Sequence, residues 1–312
     1  MIILSIVICT WNRPRFLRGA LEALVSQGEP LSSVEIIVVD NCQNEETRAV
    51  VEACSQHNAI LRYCTEAVQG VSHARNRGWK EALGEYVGYL DDDCRADGRW
   101  IATALKIIDE VHPGVFGGPY VAAVESSVPR WFRYGSHVPK DEPCFLGIGE
   151  WGVLSGGNLI IRRDLIEKAG GFNPAFGKRG RKVAFGGETE LLKRLFEGYR
   201  EERFFYCPDL IVHHWVDPRK TSIFYGIKSR LRSGWDYFSL KGEMPKETRL
   251  RLGIRLARTL VGAVSKAYWG GVCRDREKYP YYHNFLWEEV LPDVGKAGYL
   301  WAAIRGNSGG RE

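Results

Sequence analysis

Apolar runs alternate with amphipathic segments over the first 120 residues of the chain. The runs have the length of strands, and the segments between them carry apolar residues at helical spacing, which predicts a mostly parallel sheet flanked by helices on both faces. The predicted strands are Ile2–Cys9, Val34–Val39, Ile60–Cys64, Tyr86–Leu90 and Gly114–Tyr120. The expected fold class is therefore α/β, with a Rossmann-like sheet.

Helix start signals lie between these strands. Pro14 suits the first turn of a helix that extends to Val25. Ser72 and Asp97 are expected to cap helices that run through Leu83 and through Val111, respectively.

A long segment, Glu125–Trp151, is rich in Pro, Gly and aromatic residues and shows no clear period, so we expect a long loop there. A second half follows it. Gly157–Arg162 and Phe204–His214 are predicted strands, and Asp164–Ala169 and Glu188–Tyr199 are predicted helices.

Positive charge is concentrated near the C-terminus. The net charge is +5, but Arg219–Lys266 alone holds twelve Lys or Arg against three Asp or Glu. A helix over Arg249–Val264 would carry Arg251, Arg255 and Arg258 on one stripe, with apolar residues over much of the remaining circumference. We expect this helix to pack on the domain; the alternative is peripheral contact with an anionic membrane through residues 219–266.

Composition narrows the class of protein. With 45% hydrophobic and 26% charged residues, the 312-residue chain has a globular composition. No apolar run reaches the roughly 18 residues of a membrane span, and the N-terminal run is expected to be a strand rather than a signal peptide. The eight cysteines show no CxxC spacing, which favours reduced thiols in a cytoplasmic protein and argues against zinc. We therefore expect a cytoplasmic protein, or one peripheral to the inner face of the membrane.

Three consecutive carboxylates, Asp91-Asp92-Asp93, follow the predicted strand Tyr86–Leu90. Open α/β sheets bind ligands at the carboxyl ends of their strands, and crowded carboxylates repel one another unless a cation holds them together. The triplet therefore predicts a divalent-metal site for a phosphorylated ligand. A solvated turn leading to Asp97-Gly98 is the alternative.

Polar residues also follow the other strands. The first strand leads into Thr10-Trp11-Asn12-Arg13 without the glycines of a dinucleotide fingerprint, which disfavours a nicotinamide enzyme. The second ends in Asp40-Asn41. After the third comes Gln69–Asn76, where a helix N-terminus and Arg75 favour a nearby anion.

These blocks, in this order and spacing, resemble family-2 glycosyltransferases with the GT-A fold. The matching blocks are Thr10–Arg13, Val39–Asn41, Gly70–Asn76 and Leu90–Asp93, with a fifth, Gly186–Leu191 leading to Arg194, that is similar to the segment supplying the catalytic base. Together they span about residues 2 to 215. A single block is weak evidence, whereas five in order are specific.

The resemblance implies a nucleotide-sugar donor bound with Mn2+ or Mg2+. It assigns nucleotide binding to Thr10, Asn12, Arg13, Asp40, Arg75, Asn76, Asp91 and Asp92. It assigns Asp93 to the metal, although the triplet leaves the register open because Asp92 can replace either neighbour. His214 is a candidate to complete the metal shell, with a purely structural histidine as the alternative.

An inverting reaction needs a carboxylate that takes the proton from the acceptor hydroxyl, and Glu188 is the candidate base. The family usually has Glu-Asp here, whereas this chain has Gly187-Glu188, so Glu190 stays as an alternative. A plain helix-start charge is the non-catalytic interpretation.

Cations near these blocks are candidate phosphate or acceptor contacts. Lys178, Arg179 and Arg181 lie in a glycine-containing loop that we expect to act as a lid, and Arg219 follows the last predicted strand. The alternative for each is a solvated basic surface.

The sequence predicts two domains: a glycosyltransferase domain at 1–218, with a nucleotide-binding half at 1–120 and an acceptor half at 121–218, and a helical basic extension at 219–312. The expected activity is metal-dependent, inverting transfer of a sugar, most simply from a UDP-sugar, to a hydroxyl of a glycan or lipid-linked acceptor. A nucleotidyltransferase and a non-catalytic nucleotide-sugar-binding module are the alternatives. No nucleic-acid motif is present, and no nucleic-acid partner is expected.

Overall fold

The computed structural model of the protein describes residues 1–28, 31–55, 60–123, 128–132, 140–147, 150–177, 186–241 and 245–306. The chain divides into two compact units. The first comprises Met1–Ala123, Ser136–Gly180 and Gly187–Trp215, and the second comprises Val124–Gly135, Arg181–Gly186 and Val216–Glu312. Within the described ranges, no helix combines the length and the apolar character that a membrane crossing requires.

The first unit is built on a large, mostly parallel sheet. Its strands, within the described part of the chain, are β1 Leu4–Thr10, β2 Val34–Asp40, β3 Ile60–Thr65, β4 Tyr86–Asp91, β6 Val115–Gly117, β8 Cys144–Phe145, β9 Asn158–Arg162 and β10 Phe204–Tyr206. Their order across the sheet is β3-β2-β1-β4-β9-β6-β10-β8, with β9 and β8 antiparallel to their neighbours. The predicted α/β class is confirmed.

The central strands form because their apolar residues are buried on both faces of the sheet. Ile6 and Ile8 of β1 belong to one hydrophobic core, and Val7 belongs to the core on the opposite face. The register pairs Thr10 with Asp40 and Cys9 with Asp91, so the polar ends of β1, β2 and β4 lie along one edge. The first four predicted strands are confirmed, with ends that differ by one or two residues.

Two predicted strands are wrong as single elements. Gly114–Tyr120 splits into β6 and β7 Tyr120–Ala123, and Phe204–His214 splits into β10 and β11 Val212–Trp215. In both cases the second piece joins a small sheet ordered β5-β11-β7, in which β5 is Cys94–Ala96. Each break contains a proline, Pro119 or Pro208, which has no N–H for a sheet hydrogen bond.

The helices of the first unit lie between its strands. They are α1 Pro14–Val25, α2 Glu45–Cys54, α3 Val71–Glu81, α4 Trp100–Val111, α5 Arg163–Lys168 and α6 Gly187–Gly198. The predicted helix Pro14–Val25 is confirmed, and α5 and α6 match their predictions within one residue at each end.

The two predicted caps are wrong. Gly70 is the N-cap of α3, with φ of 148°, and its N–H donates to Asn41 Oδ1 at 2.7 Å. Because this glycine lets the helix begin early, Ser72 lies inside it and donates to the Phe176 carbonyl oxygen. Asp97 lies in the turn before α4, where its carbonyl oxygen accepts from the Trp100 N–H.

The predicted long loop is partly regular. Its described residues include β8 and the start of a 3-10 helix at Glu150–Val153. The edge strand β8 is short and pairs antiparallel with β10. All eight cysteines lie in the described ranges, and none forms a disulfide there.

The second unit is helical. After a 3-10 helix at Pro218–Thr221 come α7 Ile223–Lys241, α8 Arg249–Cys273, α9 Tyr282–Phe285, a π-helical segment at Leu286–Val290, and α10 Leu291–Arg305. Its core joins α7, α8 and α10 through Phe238, Leu252, Leu300, Ala302 and Ala303.

Helix α8 packs against α10 along one side, as expected of a packed helix, but much of its apolar surface is exposed. Leu252 and Ala263 are buried, but Leu250, Val261 and Val264 are exposed. The reason is geometric: only one side of a helix meets α10, and the apolar residues of α8 extend far beyond that side.

Candidate active site

The carboxylate triplet lies at the carboxyl edge of the main sheet. Asp91 ends β4, and Cys94 begins β5, so Asp92 and Asp93 form the turn between two strands of different sheets. Asp92 and Asp93 are buried, whereas Asp91 is partly exposed. The triplet is therefore held in a fixed turn and is not a solvated one.

Arg13 and Thr10 hold the buried part of the triplet. Arg13 Nη1 donates to Asp92 Oδ1 at 2.6 Å, and Arg13 Nη2 donates to Asp93 Oδ2 at 2.7 Å. Thr10 Oγ1 donates to Asp92 Oδ2 at 2.8 Å. Both oxygens of Asp92 are thus engaged by the end of β1 and the loop that follows it.

The two buried carboxyls differ in electrostatic environment. Burial raises the pKa of Asp92. Burial also opposes ionisation of Asp93, but the hydrogen bonds from His214 and Arg13 outweigh it and hold the pKa of Asp93 below its usual range. The negative charge of the pair is therefore concentrated on Asp93.

His214 lies beside Asp93. Its Nε2 is 3.6 Å from Asp93 Oδ1, because β11 pairs antiparallel with β5 and aligns His214 with Cys94. The imidazole stacks on the ring of Tyr120, with 4.8 Å between ring centroids. Tyr120 in turn donates its hydroxyl proton to Asp91 Oδ2 at 3.1 Å.

These residues suit a hard divalent cation. Ligand atoms of Asp91, Asp93 and Cys94 all lie within 4.8 Å of one another. Burial raises the pKa of the Cys94 thiol well above its usual value, and a soft sulfur ligand suits hard Mg2+ or Mn2+ poorly. Two carboxylates and an adjacent imidazole are a donor set that fits Mn2+, and the carboxylates alone fit Mg2+.

Arg75 connects the triplet to the candidate base. Its buried guanidinium lies 3.5 Å from Asp91 Oδ1 and 3.3 Å from Glu188 Oε2, and it donates to the Gly156 carbonyl oxygen at 3.1 Å. The sequence predicted Arg75 as a nucleotide contact. In the structure its side chain joins two candidate site carboxylates.

Two consecutive glycines leave room for this arrangement. A Cβ at Gly156 would lie 2.9 Å from Arg75 Nη2, and one at Gly157 would lie 2.6 Å from Asp91 Oδ2. Neither gap can accommodate a methyl group without displacing a charged side chain.

The two glutamates at the start of α6 have different partners. Glu188 uses Oε2 with Arg75, and within the described residues Oε1 has no hydrogen-bond partner. Glu190 instead places both oxygens on Arg194, at 2.6 and 2.9 Å. Glu188 therefore has an oxygen available for a proton, whereas Glu190 is occupied in an ion pair.

Three other predicted residues lie apart from the carboxylate cluster. Asp40 is fully buried, and its oxygens accept from Cys42 N, Asn44 N and the Tyr63 hydroxyl. Asn12 has a left-handed backbone, with φ of 53°, and accepts from Asn44.

Asn76 also turns away from the cluster. Its amide holds the backbone N–H and carbonyl of Phe172. In the structure, Asp40 and Asn76 order the protein's own loops.

Of the four predicted basic contacts, Arg219 alone lies within the described residues. Lys178, Arg179 and Arg181 lie outside the described residues. Arg219 belongs to the second unit, where its guanidinium forms an ion pair with Asp217 at 2.8 Å.

Sequence reasoning missed Tyr120, Gly156 and Gly157 as parts of the site. Tyr120 follows Gly118-Pro119, a break signal that marks the end of one strand and the start of another. The Gly156-Gly157 pair directly precedes β9, and paired glycines before a strand signal a close approach of neighbouring groups.

Comparison with known proteins agrees with this arrangement. Residues 5–170 match the family model "Glycosyl transferase family 2". The chain is 25% identical over 248 residues to the glucosyl-dolichyl phosphate glucuronosyltransferase of Haloferax volcanii, a match that covers 75% of each chain.

Two solved structures share the fold. A Staphylococcus aureus TarS fragment in complex with UDP-GlcNAc superposes with a TM-score of 0.56 at 18% identity, over 74% of this chain and 66% of that fragment. The mannosyltransferase PcManGT of Pyrobaculum calidifontis, in complex with GDP-Man and Mn2+, superposes with a TM-score of 0.55 at 15% identity, over 98% of this chain and 76% of PcManGT. The predicted GT-A fold is confirmed by these matches.

The family model covers more than half of the chain, and the polar ends of β1, β2 and β4, which carry part of the resemblance, lie along one edge of the sheet. The chain belongs to glycosyl transferase family 2, a family of enzymes.

Proposed function

We propose that this enzyme is a metal-dependent, inverting glycosyltransferase that moves a sugar from a UDP-sugar to a hydroxyl of a glycan or lipid-linked acceptor. The observation that carries the proposal is the position of Arg75 between Asp91 and Glu188. The Arg75 side chain joins Asp91, a carboxylate of the predicted donor site, to Glu188, a carboxylate that can take a proton.

Asp93 and His214 are the proposed metal ligands, with Asp91 beside them. When bound, Mn2+ or Mg2+ would neutralise the charge that develops on the leaving diphosphate. Asp92 and Arg13 hold Asp93 in place, because Arg13 bridges both carboxylates. Thr10, Asn12 and Asp40 are proposed to shape the nucleoside pocket at the ends of β1 and β2, and Asn76 is proposed to support it from α3.

Glu188 is the proposed general base. Its Oε1 accepts the proton of the acceptor hydroxyl as that oxygen attacks the anomeric carbon. Arg75 holds Oε2, so the carboxylate keeps a fixed orientation during proton transfer. Glu190 is proposed as a structural partner of Arg194.

The choice of donor and acceptor is supported by the relatives. The TarS structure holds UDP-GlcNAc, and the Haloferax volcanii relative is named for transfer to a glucosyl-dolichyl phosphate. For this chain, a UDP-sugar and a glycan or lipid-linked acceptor are therefore the first classes to test. We propose residues 1–218 as the catalytic domain and 219–312 as its extension.

Donor binding is tested by thermal melting with UDP, GDP, CMP and dTDP, each with and without Mn2+. A ligand at a hundred times its dissociation constant stabilises the fold by about 2.7 kcal/mol. We expect a Mn2+-dependent shift with UDP that is lost in Asp93→Asn. If none of the four nucleotides shifts the melting temperature, the metal-diphosphate site is refuted.

Catalysis is tested with a matched pair of variants, Glu188→Gln and Glu190→Gln. We expect Glu188→Gln to lower turnover by about 10²- to 10⁴-fold while UDP binding is retained. Glu190→Gln should keep most of the activity. Equal losses of turnover in the two variants would remove the distinction between Glu188 and Glu190. Release of pyrophosphate in place of UDP would indicate a nucleotidyltransferase.

A further inference from the structure

Helix α8 exposes a continuous apolar strip. Its buried face is narrow and includes Leu252, Ala263 and Gly270. On the other side, seven apolar residues in one sector are 44% to 75% exposed: Leu250, Ile254, Leu260, Val261, Val264, Tyr268 and Val272; an eighth, Trp269, is 58% exposed and lies beside that sector. At the angular spacing of an α-helix these seven residues fall within a sector of about 120°, along a helix about 37 Å long. We call them the α8 strip.

The polar residues of α8 carry only one sign of charge. The helix contains Arg249, Arg251, Arg255, Arg258 and Lys266 and no carboxylate. Arg255 pairs with Glu247, and Lys266 pairs with Asp293. Arg251 and Arg258 lie next to the strip, and neither has a carboxylate partner within the described residues.

A cavity on the basic side of α8 extends this charge pattern. It has a volume of about 510 Å3 and is lined by residues of α7, α8 and α10. Its charged lining residues are Arg230, Arg255 and Lys296, and no Asp or Glu lines it. The cavity lies on the packed side of α8, away from the strip, and its charged lining residues also favour negatively charged groups.

This charge pattern decides between two occupants of the strip. If a second copy of the chain covered the strip, the arginines of the two α8 helices would lie close together, and neither helix has a carboxylate to pair with them. Like charges beside an apolar interface oppose association. An anionic lipid surface offers apolar chains to the strip and phosphate groups to the arginines.

We propose that α8 lies on an anionic membrane surface. The α8 strip enters the boundary between headgroups and acyl chains, and Arg251 and Arg258 contact lipid phosphates. Binding needs neither sugar donor nor acceptor, so its failure would leave the proposed sugar transfer unaffected, and inactivity in sugar transfer would leave the membrane contact unaffected.

The test is co-sedimentation of the full chain with vesicles of phosphatidylcholine, alone or mixed with phosphatidylglycerol. We expect binding to the anionic vesicles only, and weaker binding at higher salt because screening shortens the range of the attraction. Arg251→Gln with Arg258→Gln should weaken binding by about 30-fold, since each charge near the surface contributes roughly a factor of five.

Substitution of the strip tests its apolar contribution. Val261→Ser with Val264→Ser should weaken vesicle binding by at least about tenfold, because each valine loses a favourable apolar transfer. Leu83→Ser is the matched control: Leu83 is 62% exposed in the first unit, and its substitution should leave binding unchanged. Because all three residues are exposed, the variants should melt like the wild type.

Two results would overturn the proposal. One is equal binding to neutral and anionic vesicles. The other is a wild-type dimer in sedimentation equilibrium that does not bind anionic vesicles. If the Val261→Ser, Val264→Ser variant is then a monomer, the strip binds a second copy of the chain.

Discussion

Substitution of Arg75 by methionine tests the connection between the proposed donor site and the proposed base. Methionine keeps an unbranched apolar stem but removes the charge and the forked donors. The Arg75 side chain is 7% exposed and interacts with Asp91, Glu188 and the Gly156 carbonyl oxygen. The substitution removes the Arg75 contact from all three groups, and of the two carboxylates only Asp91 keeps another hydrogen bond among the described residues, from the Tyr120 hydroxyl.

The cost in stability follows from this burial. Removal of one partner of a fully buried ion pair costs about 3–5 kcal/mol. The Asp91 and Glu188 side chains are 39% and 33% exposed, so water can solvate them after the substitution. We therefore expect a loss of about 2 kcal/mol in the free energy of unfolding, between the values for buried and surface pairs.

The cost in turnover should be larger. Without Arg75, no hydrogen-bond partner among the described residues fixes the orientation of the Glu188 carboxylate, and a misplacement of about 1 Å costs roughly 100-fold in rate. We expect kcat to fall by about that factor, whereas the dissociation constant for UDP changes by less. Thermal melting, calorimetric UDP binding and turnover measured on the same preparations separate the three effects.

Arg77→Met on the same helix is the control. Arg77 forms an exposed i,i+4 pair with Glu81, so its loss should cost less than about 1 kcal/mol and leave kcat unchanged. Arg75→Lys should be intermediate, because an ammonium keeps the charge but cannot match the fork. A folded Arg75→Met variant with wild-type kcat would refute the role of Arg75 in holding Glu188.

Three further predictions concern packing and charge. Gly157→Ala would place a methyl group 2.6 Å from Asp91 Oδ2, so calorimetry should show weaker Mn2+-dependent UDP binding in a folded protein. Asn158→Ala removes a fully buried amide that donates to two carbonyl oxygens, and urea unfolding should show a loss of about 2–3 kcal/mol. Burial acts to raise the pKa of Asp293. The ion pair with Lys266 acts in the opposite direction and contributes to a pKa below the usual 3.8. Its stabilisation is present above pH 3.8 and is lost as the pH falls through the lower folded value, so Asp293→Asn should lower Tm at about pH 7 but not at about pH 2.

The parallel strands could be predicted because each is a short apolar run buried on both faces. The breaks within Gly114–Tyr120 and Phe204–His214 could not, because apolar residues continue past the prolines. Whether the chain stays in one sheet or crosses to another depends on partners far away in sequence. β11, for example, pairs with β5 and β7, which lie some 90 to 120 residues earlier in the chain.

The site could be predicted as a set of chain segments but not as a set of contacts. The segments that carry Asp93, His214 and Glu188 come together in the structure as the resemblance implied. Spacing along the sequence gives no information on which side chains face each other, so the Tyr120 contacts with Asp91 and His214 were missed. The same limit explains Asp40 and Asn76, whose polar groups bond other parts of the protein: Asp40 the loop after β2 and the Tyr63 hydroxyl, and Asn76 the backbone of Phe172.

The identical residues of the triplet are distinguished only by what the fold places beside them. Asp91 still belongs to β4 and is reached by Arg75 and Tyr120. Asp92 accepts hydrogen bonds from Thr10 at the end of β1 and from Arg13 in the loop that follows. Both oxygens of Asp92 are therefore used inside the protein. Asp93 shares Arg13 but also faces His214, because β11 pairs with β5 directly after the turn. We therefore propose Asp93 as the ligand for a metal that needs an ionised carboxylate, because the pairing of β5 with β11 places this residue next to an imidazole.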